Sequence, residues 1–167
     1  MEIFFEGITL RPWSITDAPA LALIADNKKI ADNLRDGFPF PYSLKDAHNW
    51  LNLILPENIP PRFFAITIDK KLIGSIGIVA KSDIYRKNFE IGYFLSEEFW
   101  GKGYSYEGAV AWRDHALNEI KVPTLYAMAH IDNNGSNRIL QKLGMQQKNQ
   151  YLSHECPCNW YELDNKK

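Results

Sequence analysis

The stretch from Glu90 to Glu107, EIGYFLSEEFWGKGYSYE, constrains the chain more than any other. Its apolar start predicts a strand, Gly101-Lys102-Gly103 predicts a tight turn, and a helix follows. Ala109, Trp112, Ala116 and Ile120 recur at helical spacing and mark that helix's expected buried stripe. Strand, glycine turn and helix in this order aim consecutive backbone N–H groups at one point, and the helix adds the positive end of its dipole. Such a construction suits a phosphate or pyrophosphate, and glycine serves it because no Cβ keeps the ligand off the backbone. Two other glycine loops fail on the residues themselves. A dinucleotide fingerprint begun at Gly101 needs glycine where Tyr106 stands, and a P-loop needs glycine at Ser96 and a hydroxyl at Gly103. The bland alternative is a structural turn without a ligand.

Around this stretch the chain reads as a mixture of strands and helices. Residues 7–12 alternate and stop at Pro12, as a strand would. Ser14 or Thr16 is expected to cap a helix through Asp17 to Ala25, with Pro19 tolerated in its first turn. Asp36-Gly37-Phe38-Pro39-Phe40-Pro41 is expected to be a loop. Ser43 opens a second helix, with Ala47, Trp50, Leu51 and Ile54 on one face and Pro56 and Pro60-Pro61 closing it. Residues 63–68 and 72–79 flank the polar turn Asp69-Lys70-Lys71 and predict a hairpin. Further strands are expected at 89–95, 124–131 and 160–163, with a short helix over 133–143 ended by Gly144. This order predicts an α+β (mixed α/β) fold, a sheet layered with helices.

Composition narrows the function. At 167 residues the chain fits one domain, 1–167, with no room for a second full-sized core. Its 19 basic and 20 acidic side chains leave a net charge of -1, which argues against nucleic acid as the main ligand, and Lys166-Lys167 is too short for a basic tail. No run approaches the length of a membrane span. The acidic start from Met1 to Glu6 does not read as a signal peptide. The two cysteines, Cys156 and Cys158, form no disulfide framework, so a cytoplasmic protein is expected. His154, Cys156 and Cys158 fall short of the four ligands of a structural zinc site, so no metal is expected. His130 reads better as a packed or surface histidine than as a cleft residue. Trp13, Trp50, Tyr42 and Phe38 read better as core than as a pocket.

The stretch around Gly103 resembles motif A of the GNAT acetyltransferases, Q/R-x-x-G-x-G/A. The variant is that of the ribosomal-protein N-acetyltransferase (RimJ/RimL-like) branch, which tends to read IGYWL…WGKGYATEA. Gly103 matches the central glycine, Trp100 stands where most members have Gln or Arg, and Ser105 takes the final Gly/Ala place. Downstream, Asn133, Ser136, Lys142 and Gly144 match the branch's NxxSxxVLEKLGF, with Met145 replacing the usual Phe. The first strand and helix, and the Pro39-Phe40-Pro41-Tyr42 loop, are also similar to the branch. The resemblance runs to Met145, whereas residues 146–167 match poorly and look short.

The resemblance implies a mostly antiparallel central sheet with helices on both faces, and acetyl-CoA as co-substrate. It implies that the backbone at Phe94 and Leu95 meets the pantetheine arm. Trp100, Gly101, Lys102, Gly103, Tyr104 and Ser105 would hold the pyrophosphate, and Asn133 would bond the cofactor from the other side. The implied activity is N-acetyl transfer to a primary amine, of a protein N-terminus or a small molecule, by direct attack on the thioester. The amine must lose a proton, and Glu90 is the candidate base because strand alternation puts it on one face with Gly92 and Phe94. The bland alternative for Glu90 is a solvated strand charge. The family's usual helix tyrosine, which protonates the leaving thiolate, falls on Leu140, so Ser136 is the substitute the branch suggests. A capping role is its alternative. A homodimer is compatible with the resemblance. Two other readings stay open: a non-catalytic acetyl-CoA-binding sensor, and a structural domain that shares only the fold.

Overall fold

The computed structural model describes residues 2–34, 37–56, 61–80, 88–153 and 156–165. Met1, Asp36, Pro60, His154 and the Lys166-Lys167 pair lie outside them, as do the side chains of Leu152, Ser153 and Cys156. The strands are β1 (Ile3–Phe5), β2 (Ile8–Pro12), β3 (Phe63–Ile68), β4 (Lys71–Ala80), β5 (Asn88–Leu95), β6 (Thr124–His130), β7 (Gln146–Ser153) and β8 (Cys156–Asp164). The helices are α1 (Ala18–Ala25), α2 (Lys28–Ala31), α3 (Leu44–Ile54), α4 (Tyr104–His115) and α5 (Asn134–Lys142). The strands follow the order β1-β2-β3-β4-β5-β6-β8-β7 in one sheet. Five of the described pairings are antiparallel, and β5 with β6 is parallel. The expected mixed α+β architecture is the one observed.

The chain divides into two compact units, residues 1–77 with 93–111 and residues 78–92 with 112–167. In the first unit, helices cover both faces of the strands. On one face, α1 and α3 bury Leu21, Ala25, Ala47 and Leu51 in a cluster with Trp13, Tyr42, Ala65 and Leu72. Each fully buried Leu contributes roughly 1.5–3 kcal/mol. On the other face, Gly108 of α4 lies so close to Ile8 and Ile66 that an added Cβ would sit 3.5 Å from both Cδ1 atoms. The caps follow the sequence closely. Ser43 accepts from the backbone N–H of Asp46, whose carboxylate accepts from the Ser43 N–H in return. Ser14 heads a 3-10 turn over Ile15–Asp17, its hydroxyl accepting the Thr16 N–H while the Asp17 carboxylate accepts the Ser14 N–H, and α1 starts one residue later than expected, at Ala18, with Pro19 in its first turn. Arg11 then grips Asp17 with two hydrogen bonds of 2.8 and 2.7 Å.

In the second unit, β6 pairs with β8 from Thr124↔Asp164 to His130↔Cys158, and β7 returns along β8. Within the segment that matches the family pattern poorly, β7 and β8 are thus an antiparallel pair whose register shifts between Gln147 and Asn149. Helix α5 ends as expected. Leu143 closes it, Gly144 takes φ +83°, and the N–H of Met145 reaches back to the Leu140 carbonyl. One expectation fails locally. Ala116–Ile120 is a π-helical turn, not an α-helical one, and Ile120 is half-buried where a regular helix would keep it on the buried stripe.

Candidate functional site

Two sets of side chains answer to the candidate residues, one in each unit. In the first unit, Glu97–Phe99 form a 3-10 turn after β5, and Gly101 (φ +73°) and Gly103 (φ +91°) carry the chain into α4. Only glycine adopts these angles without strain, so both glycines are required by the turn's shape. Trp100 closes the turn onto the strand. Its Nε1–H donates to the Leu95 carbonyl at 2.8 Å, and its backbone N–H donates to Glu97. The N–H groups of Tyr106 and Glu107 donate to the Gly103 carbonyl. Among the described residues, no acceptor takes the backbone N–H groups of Gly101, Lys102, Gly103, Tyr104 and Ser105. Five successive free donors at the head of a twelve-residue helix fit a pyrophosphate.

The charges around this turn are consistent with that fit. The ammonium groups of Lys71 and Lys102 lie over the Phe99 ring, 5.0 and 5.2 Å from its centre. Lys71 also pairs with Glu98 at 2.9 Å. Glu97 is held below the ordinary carboxylate range by its bond from Lys29 and then by the 2.8 Å bond from Asn27. It therefore stays ionised and ties the turn to α2. Glu107 is pushed the other way, first by burial and then by the charge of Glu6. Of the expected pantetheine contacts, Leu95 is buried with its carbonyl already bonded by Trp100, and the Phe94 carbonyl faces Gly74.

In the second unit Glu90 is buried and its Oε2 accepts the Tyr126 hydroxyl at 2.6 Å, so the solvated reading of this carboxylate fails. The pairing follows from register, because Glu90 stands opposite Tyr126 in the parallel β5–β6 ladder. Asn133 caps α5. Its Oδ1 accepts the Ser136 N–H at 3.1 Å, so Ser136 is the capped residue and not the cap. Leu140, where the family pattern has tyrosine, is core. Cys158, which is in no disulfide, and His130 are both half-buried.

Three features escaped sequence reasoning. Asn137 is buried and uses its whole amide. Its Nδ2 donates to the carbonyls of His130 and Asn133, and its Oδ1 accepts from Tyr161 and Asn159, all at 2.8 Å. The spacing Asn133 to Asn137 placed it one helical turn past the cap, but nothing local announced its partners on β8. Tyr126 and Trp160 are the others. Their rings stack 4.4 Å apart at 11°, and β8 reads as an ordinary terminal strand until its register against β6 is known.

A mixed eight-stranded sheet with this turn is the architecture of an acyl-CoA-binding transferase class, and comparison with known proteins gives the family. Residues 8–146 match the acetyltransferase (GNAT) domain, and the chain belongs to that family. YkkB of Bacillus subtilis (strain 168), an uncharacterized protein, is 33% identical over 75 residues, or 45% of this chain. That match spans only 44% of YkkB's own length. An uncharacterized, SPbeta prophage-derived N-acetyltransferase of the same organism, YokL, is 28% identical over 147 residues, 87% of this chain and 79% of its own. Among solved structures, RimL, a ribosomal L7/L12 alpha-N-protein acetyltransferase in complex with coenzyme A, superposes with a TM-score of 0.88 over 100% of both chains at 17% identity. It shares the fold.

Proposed function

We propose that the chain transfers the acetyl group of acetyl-CoA to a primary amine, as a single domain of residues 1–167. The observation that carries this reading is the row of unbonded N–H groups from Gly101 to Ser105 at the head of α4. These donors take the pyrophosphate, and Lys102 adds charge at its edge. Phe94 and Leu95 flank the pantetheine, and Asn133 contributes a further contact from its cap position. Acetyl-CoA supplies the thioester. Glu90 takes the ammonium proton, the neutral amine nitrogen bonds the thioester carbon, the C–S bond breaks, and the second proton on that nitrogen goes to the leaving thiolate. Tyr126 stabilises the ionised carboxylate by hydrogen bonding and fixes its orientation. Ser136 donates to the leaving thiolate. The acceptor is a protein N-terminus or a small-molecule amine, and the setting is the cytoplasm, where acetyl-CoA is made and used.

Calorimetric titration with acetyl-CoA, with NADH and ATP as controls, tests the cofactor. Saturable binding of acetyl-CoA alone with a Kd of about 1 μM, or about -8 kcal/mol, is expected. No heat with acetyl-CoA overturns the reading. Glu90→Gln tests the base. The acetylation rate is expected to fall by about 10²–10⁴ while acetyl-CoA affinity holds. A second reading, an acetyl-CoA sensor without turnover, is favoured by Leu140, which puts a core side chain where the family's acid stands. Under it, wild type and Glu90→Gln bind alike and neither turns over.

A further inference from the structure

The β6–β8–β7 sheet carries an aromatic and acidic platform on the face away from α5. Asn137 of α5 bonds Asn159 and Tyr161, so α5 covers that side of β8. Trp160 and Glu162 alternate to the opposite side. Tyr126 stands between two carboxylates, facing Glu90 across one ladder and Glu162 across the next. Adjacent strands are spaced by about 4.8 Å, so the two glutamates leave the sheet about 10 Å apart. Trp160 is held over Tyr126 by stacking, and its Nε1–H donates to Glu162 Oε1 at 2.7 Å. The Tyr151 ring meets it edge-on at 5.5 Å and is 47% exposed. Trp160 and Glu162 both keep contact with solvent. Among the described residues, no cation pairs with Glu162, and its Oε2 has no hydrogen-bond partner.

We infer that Trp160 and Glu162 form a subsite for a second positive charge on the acceptor, so that the preferred acceptor is a small linear diamine. The inference rests on the acetyl-transfer reading with Glu90 as base. The amine that reacts gives its proton to Glu90 and is neutral when it attacks. A carboxylate about 10 Å away, beside an immobilised indole, serves an ammonium that keeps its charge. The Trp160 bond to one oxygen of Glu162 fixes the carboxylate and leaves the other oxygen for this ammonium. A neutral or anionic tail gains nothing from this arrangement and would have to desolvate Glu162.

Two measurements test it. The first is direct calorimetric binding of linear α,ω-diamines of increasing length to wild type and to Glu162→Gln, read without turnover. Wild type is expected to bind one chain length best and Glu162→Gln to bind it about tenfold more weakly. Equal affinity in the two proteins overturns the subsite. The second compares acetylation of each diamine with that of the monoamine of the same length. Glu162→Gln is expected to raise KM for the diamine about tenfold and to shrink the preference for diamine over monoamine by the same factor. Equal kcat/KM for diamine and monoamine in wild type also overturns it. Acetyl-CoA binding in the same samples separates the failures. Diamine binding that depends on Glu162 supports the subsite even if no acetyl group moves, and the transfer reading alone then falls. Trp160→Leu is a second variant and is expected to weaken diamine binding while leaving acetyl-CoA binding intact.

Discussion

At the scale of single residues, the second unit depends on a buried amide with no slack. Asn137 spends two donors and two acceptor positions on four partners at 2.8 Å, which is all an amide can do. Its removal strands the Tyr161 hydroxyl, itself fully buried, and frees the carbonyls that hold the β6–α5 turn. Leaving buried groups unsatisfied costs about 1–3 kcal/mol each, and some relax to water. Asn137→Ala is therefore expected to lower unfolding stability by about 2–3 kcal/mol in urea titrations. A loss under about 0.5 kcal/mol, the usual range for a surface substitution, would mean that the network is not held in solution.

At the scale of elements, β4 and β5 meet through Gly74. A Cβ at this position would fall on the Phe94 carbonyl oxygen and on Leu95 Cδ2, far inside van der Waals contact, and the backbone oxygen has no rotamer to escape by. The Ser96 N–H bonds the Ile73 carbonyl at 2.8 Å beside it, so the close approach is built into the ladder. Gly74→Ala is thus expected to cost about 3 kcal/mol, at the upper end of the usual range for overpacking a tight site. It should also shift the end of β5 that precedes the turn, and thermal melts with and without acetyl-CoA would show both effects. A melting temperature equal to wild type would contradict the geometry. How much of these elements the sequence made legible depended on the range of the physics involved. Ser43 at the head of α3 and Gly144 after α5 are local chemistry and sit where the pattern put them, whereas the expected Asp69-Lys70-Lys71 turn is shorter by one residue because Lys71 already opens β4. Three elements went unread. Strand β1 is three residues long, α2 is one turn capped by Asn27, and β7 is mostly polar with a shifted register against β8. Strands like β7 are specified by their partner and not by their own alternation. The same holds for the site. Gly101 and Gly103 were readable because a left-handed turn needs glycine. The Glu90–Tyr126 pair and the Trp160 stack exist only through register, which sets residues far apart in sequence side by side.

At the scale of the whole molecule, the proposed cofactor gives a stability test that needs no knowledge of the acceptor. A ligand that binds only the folded state stabilises it by RT ln(1 + [L]/Kd), about 2.7 kcal/mol at a hundredfold excess over Kd. For a chain of this size each kcal/mol moves the melting temperature by about 2–4 °C. Acetyl-CoA at that excess is therefore expected to raise it by about 5–10 °C. The shift must vanish with the binding site, and Gly103→Ala supplies the control. At φ +91° a side chain strains the backbone by about 1–2 kcal/mol, so the variant starts from a lower melting temperature. Its response to acetyl-CoA is the deciding quantity. If the N–H groups of Gly101 to Ser105 hold the pyrophosphate, distorting the turn misdirects several donors at once, and the ligand-induced shift should shrink by more than half. A variant that melts lower yet gains the same 5–10 °C from acetyl-CoA would place the pyrophosphate elsewhere on the fold.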